Sequence, residues 1–179
     1  MSRSVAPAVK PRRSRRAFSL AEVVVATLIV GIMLVAALKT VGASVRGRIA
    51  MANRERGFLL AQQLMSEILQ ADYAEPDESA VFGPEATETG GTRAPFDDVD
   101  DYHNWTASPP EQKDGTPIPD RADWQRTVTV EWVNDSLLTE TVGNDKGTKR
   151  ITVTVSRGGQ VFASLETVRS EAWQQPPYD

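Results

Sequence analysis

Hydrophobicity along the chain falls into three regimes, each with its own period. Residues 18–38, FSLAEVVVATLIVGIMLVAAL, are apolar almost without interruption. The run has no proline and one ionisable side chain, Glu22. As a helix it would extend about 32 Å, the hydrocarbon thickness of a bilayer, so the pattern predicts a transmembrane helix. From 39 to 71 proline is still absent, and apolar positions recur at helical spacing: Val45, Ile49 and Ala52, then Leu60, Ala61, Leu64, Met65 and Ile68. Steps of three and four put Ala61, Leu64, Met65 and Ile68 on one stripe. One helix is therefore expected from 18 to about 71, with a transmembrane half and an amphipathic half over 39–72.

Pro76 closes the helical regime. Residues 73–123 are rich in Pro, Gly, Asp, Glu and Thr, and form an acidic connection long enough to be functional or disordered. The third regime has period two. Val128, Val130 and Trp132 share a face, and so do Ile151, Val153 and Val155. Residues 136–142 read as a weaker strand leading to the turn GNDKG. Gly158-Gly159 reads as a tight hairpin turn, after which Val161, Ala163, Leu165 and Thr167 alternate against Phe162 and Val168. The expected fold class is α+β: a long N-terminal helix packed on a small antiparallel sheet of three or four strands over 124–170, with a tail at 171–179. The helix stripe covers the sheet face that would otherwise be exposed.

Charge is segregated as sharply as hydrophobicity. The chain carries 20 cations and 24 acids, a net −4. Residues 1–17 hold six of the cations (Arg3, Lys10, Arg12, Arg13, Arg15, Arg16) and no acid, so residues 18–179 stand at −10. A basic leader could be a nucleic-acid arm. Directly ahead of a membrane-length run it instead fixes the N-terminus in the cytoplasm and sends the body across. The absence of cysteine excludes disulfides, thiolate nucleophiles and Cys-ligated metals. One histidine, His103, excludes a His-cluster site and reads as a loop residue. With no P-loop, GxSxG or HExxH pattern, the chain reads as no enzyme.

Glu22 needs an explanation. A carboxylate inside an apolar span costs about 2.5–3.5 kcal/mol at mid-membrane and less near an interface, and nothing else in 18–38 can pair with it. A secretory signal cut after Val41-Gly42-Ala43 leaves it unexplained, and so does a plain signal anchor. A cut between Ala17 and Phe18 explains it, because Phe18 then bears a free amine and Glu22 becomes the fifth residue. The segment Arg15-Arg16-Ala17-Phe18-Ser19-Leu20-Ala21-Glu22 ahead of the apolar helix resembles the prepilin signal of type IV pilins and type II secretion pseudopilins. It differs from the usual signal in having Ala17 where glycine is common. The resemblance implies cleavage between Ala17 and Phe18 by prepilin peptidase, N-methylation of Phe18, and pairing of Glu22 with the terminal amine of a neighbouring subunit. It also implies a single-pass protein of the bacterial inner membrane with a periplasmic C-terminal domain, drawn into an extracytoplasmic filament. The partners implied are other pilin or pseudopilin subunits and, indirectly, an assembly platform and its ATPase. GFLLAQQLMSEILQ (57–70) is similar to the post-membrane helix of the minor pseudopilin I, and FDDVDDY (96–102) to a segment of MSHA-type minor pilins.

Asp97, Asp98, Asp100 and Asp101 crowd four acids into five positions. Several oxygens in one place suit calcium, and the resemblance adds that some pseudopilins bind calcium after their helix. The spacing is not that of an EF-hand. A competing reading has Phe96, Val99 and Tyr102 pin a short helical turn to the body and leave the aspartates in water. The expected function is a minor pilin-like or pseudopilin subunit. The alternative is a membrane-anchored periplasmic binding protein with an acidic calcium-binding loop.

Overall fold

The computed structural model describes residues 19–75 and 82–173; Ala17 and Phe18 lie outside them. Its principal helix, α1, is Leu20–Ile68. Ser19 caps it, its Oγ accepting the Glu22 N–H at 3.2 Å, which places Glu22 in the third helical position of a Ser-x-x-Glu start. At the other end the Leu69 N–H still donates to the Met65 carbonyl, and the chain then tightens, Gln70 N–H donating to the Glu67 carbonyl and Ala71 N–H to that of Ile68.

The chain divides into two compact units, one ending at Arg48 and one beginning at Ile49. In the first, α1 buries none of its large apolar side chains: Leu28 is 63% and Leu34 60% exposed. It is long and apolar enough to cross a membrane.

The second unit is a helix-on-sheet domain. Its antiparallel sheet has four strands, β1 (Thr106–Ala107), β2 (Trp124–Trp132), β3 (Thr148–Arg157) and β4 (Gln160–Ser170), in sequential order. Val128 pairs with Val153 and Val130 with Ile151. These inward residues meet Leu60, Ala61, Leu64 and Ile68 of α1 in a single core, the stripe and the period-two faces read from the sequence. The β3–β4 turn is Gly158-Gly159 with φ of +56° and +80°, a pair of conformations that disfavours any residue with a Cβ.

Three expectations are corrected. Residues 136–142 form no strand. They belong to a loop closed at its base, where Val133 bridges to Thr141 and the Asn134 N–H donates to the Glu140 carbonyl at 3.0 Å. Leu137 and Leu138 are adjacent, not alternating, and both are exposed, so a strand there would have no apolar face to bury. The fourth strand is instead the two-residue β1, from the acidic connection. In β4 the inward alternation slips: Ala163 pairs with Val155 and Val161 with Ser156, leaving Phe162 as an extra residue. This bulge leaves Val161 exposed and brings Phe162 against the core, 5.4 Å from Trp124 between ring centres. Phe162 comes so close to α1 that a Cβ on Gly57 would sit 2.9 Å from the Phe162 Cβ, and glycine makes that approach possible.

Candidate functional site

Two places carry the candidate chemistry. The first is the start of α1. Glu22 is exposed there, one turn into the helix, and the Ser19 cap engages its backbone N–H and leaves its carboxylate to other partners. An acid in a first turn also faces the positive end of the helix dipole.

The second is the acidic segment beside the sheet. Phe96, Val99 and Tyr102 are buried, and Asp100–Tyr102 forms a 3-10 turn, as the anchoring reading expected. The aspartates are not left in water, however. Asp97 is exposed, but Asp98, Asp100 and Asp101 are buried. Burial is tolerated because each carboxylate has a separate task. Asp98 Oδ1 accepts the N–H groups of Asp100 (2.7 Å) and Asp101 (3.2 Å), starting the turn. Asp101 Oδ2 accepts those of Asp97 and Asp98, both at 3.0 Å. Asp100 pairs with the buried Lys149 ammonium, which also donates to the Tyr73 carbonyl. Asp101 alone of the four joins a group able to hold a metal: one carboxylate oxygen each from Glu85, Glu88 and Asp101 lie within 4.8 Å of one another. Glu85 and Glu88 carried no sequence signal, because their proximity to Asp101 arises only when the connection folds.

Burial pushes the Asp98 carboxyl up to about 8, reinforced by the negative charges of Asp100 and Asp101 and opposed by Lys149. Burial, with hydrogen bonds to Asp101 and Glu85, pushes Glu88 up to about 8, and burial raises Asp101. At neutral pH Glu88 therefore holds a proton beside Asp101, a neutralisation that a bound divalent cation could also supply. The sign of the resulting pH dependence is fixed. Unfolded carboxyls ionise near 4 while Asp98 and Glu88 stay protonated to near 8, so unfolding releases protons across that interval. The stability these groups confer is complete below about pH 4 and falls as pH rises toward 8. Thermal denaturation of the full chain in detergent should give a melting temperature several degrees higher at pH 5.5 than at pH 8.5. If the cluster binds calcium, millimolar calcium should recover part of that difference at the higher pH. A flat profile would mean that Asp98 and Glu88 ionise normally.

The same domain buries two arginines, which sequence reading would leave on the surface. Arg93 donates Nε to Glu67 Oε1 at 2.9 Å and Nη2 to Glu67 Oε2 at 3.2 Å, and lies 4.1 Å over the Trp105 ring. Arg126, pushed down to about 10 by burial and then by Arg93, donates to the carbonyls of Leu60 and Glu111. His103 Nδ1 accepts the Val130 N–H at 3.2 Å. These are structural uses: they fasten the acidic connection to α1 and β2.

Residues 12–38 match the family model described as the prokaryotic N-terminal methylation motif. The matched span covers Ala17, Phe18 and Glu22 and ends with the apolar run. No curated protein matches the chain, and no solved structure does.

Proposed function

We propose that this chain is a type IV pilin-like or pseudopilin protein, a membrane-anchored substrate of prepilin peptidase as its methylation motif supports, and that it is a minor subunit of a type II secretion or type IV pilus-like filament. The observation that carries the reading is the methylation motif ahead of an exposed apolar helix, with Glu22 in its first turn. In this reading the leader lies in the cytoplasm and the helix-on-sheet domain in the periplasm. Cleavage frees the Phe18 amine, and Glu22 of one subunit pairs with that amine of another as helices leave lipid for a helical bundle. The exchange conserves apolar burial, so the ion pair sets register more than it adds stability. Ala17 in place of glycine and the absence of a cysteine pair favour a minor subunit over a major one. No nucleic acid is involved, and the domain acts as a building block with no catalytic role. The alternative of an anchored periplasmic binding protein keeps the leader and gives Glu22 no task.

Processing separates the two. Co-expression with prepilin peptidase should remove residues 1–17, leave a methylated Phe18 as the N-terminus and move the net charge from −4 to −10. Ala17→Gly should speed the cut and Ala17→Trp should block it. Intact mass and N-terminal sequencing read both, and a chain that keeps Met1 beside an active peptidase sinks the assignment.

A further inference from the structure

The filament reading leaves open which surfaces of the folded domain meet. Cations are distributed unevenly along the chain. Lys39, Arg46, Arg48, Arg54 and Arg56 face one acid, Glu55, whereas residues 57–179 hold nine cations and 22 acids, a net −13. Within the domain four of the nine cations, Arg93, Lys149, Arg150 and Arg157, are each paired with one of its own acids. The five helix cations are exposed, and among the described residues none forms an ion pair. One of them sits in an apolar setting: Met51, Arg54 and Phe58, at steps of three and four, share one side of α1, with Met51 73% and Phe58 48% exposed. The counterpart is the β2–β3 loop. Its tip exposes Leu137 and Leu138 between two exposed acids, Asp135 and Glu140, which form no ion pair among the described residues. Both surfaces are open in one chain, so neither covers the other.

We propose that the acidic Leu137-Leu138 loop of one copy docks on the Met51–Arg54–Phe58 stripe of α1 in a second copy. The two surfaces match in charge and in apolar character. Because they are different surfaces, the contact is head-to-tail, which does not close as a symmetric dimer and so can join those copies of a minor subunit that lie side by side. A membrane surface suits Arg54 less well. It lies 16 residues past Leu38, the end of the apolar run. The proposal rests on the filament reading only in needing copies side by side.

The chain has no cysteine, so engineered pairs report cleanly. Processed full chains carrying Met51→Cys are mixed in detergent with chains carrying Leu137→Cys and oxidised. The expected result is a mixed disulfide dimer at low salt, reduced about tenfold at high salt or by Arg54→Glu. Arg56→Glu, about 160° around the helix from Arg54, should reduce it less. Asp135→Lys with Glu140→Lys on the loop partner should restore the yield against Arg54→Glu. The proposal is overturned by a mixed dimer no more abundant than one with Thr129→Cys in place of Leu137→Cys, or by equal losses for Arg54→Glu and Arg56→Glu. It is also overturned if Arg54→Glu weakens only flotation with phosphatidylglycerol vesicles. N-terminal sequencing of the same sample separates the two failures: Phe18 without a cross-link removes the docking and keeps the family reading, whereas Met1 removes the family reading.

Discussion

Lys149→Ala should destabilise the folded domain by about 3–5 kcal/mol, the usual loss when one member of a buried ion pair is removed. Lys149 is 2% exposed and Asp100 4%. The ammonium donates to Asp100 and to the Tyr73 carbonyl and lies 4.4 Å over the Tyr73 ring. Without it Asp100 would be an unpaired buried carboxylate beside Asp98 and Asp101. Replacing the pair together, Lys149→Met with Asp100→Leu, should recover most of the loss, because the penalty comes from the stranded charge and much less from the missing contact. Chemical denaturation of the three chains in one detergent reads both effects. A loss under about 1 kcal/mol for Lys149→Ala, the size of a surface pair, would show that water reaches Asp100.

The second large effect is on assembly. Glu22→Val should leave processing and membrane insertion intact and lower incorporation into sheared filaments by at least about tenfold, a coupling near 1.4 kcal/mol. Loss of a helix cap cannot explain such a drop. The Ser19 cap accepts the backbone N–H of residue 22, which valine keeps, and the dipole contribution of an exposed first-turn acid is only about 0.3–1 kcal/mol. Ser19→Ala supplies the comparison, since it removes the cap and keeps the carboxylate. If both variants lose incorporation equally, helix fraying is the cause and Glu22 has no assembly role. Normal incorporation of Glu22→Val would lead to the same conclusion.

The features legible in the sequence were those that repeat. The apolar run needs only composition, the Ala61–Ile68 stripe only the helical period, and Val128, Val130, Ile151, Val153 and Val155 only the pleat. Gly158-Gly159 is legible because positive φ at two successive positions restricts the choice of residue. The features that escaped depend on tertiary contact. Phe162 turns inward through a bulge that no local pattern encodes. β1 is two residues long and exists only because β2 offers it an edge. Arg93 and Arg126 are arginines, which by composition belong outside; Glu67, the Glu111 carbonyl and the Trp105 ring make their burial tolerable. The aspartates of 97–101 form one crowded set in the sequence, but their hydrogen bonds send them in separate directions, and only Asp101 meets the glutamates of the preceding turn.

The pairing of an early helix with a late sheet sets a clock on biogenesis. The Arg157 guanidinium donates to Asn53 across 104 positions, and Gly57 meets Phe162. The helix face around the stripe from Leu60 to Ile68 therefore lacks its full cover until the last strands have been synthesised. At about 5–20 residues per second, some hundred residues take roughly 5–20 s. That wait is several orders of magnitude longer than the microseconds an isolated hairpin needs to form. For those seconds part of the core face of the helix is bare. Until β4 is made, that surface is open to a chaperone or to misassembly, the hazard that transiently bare apolar surface carries.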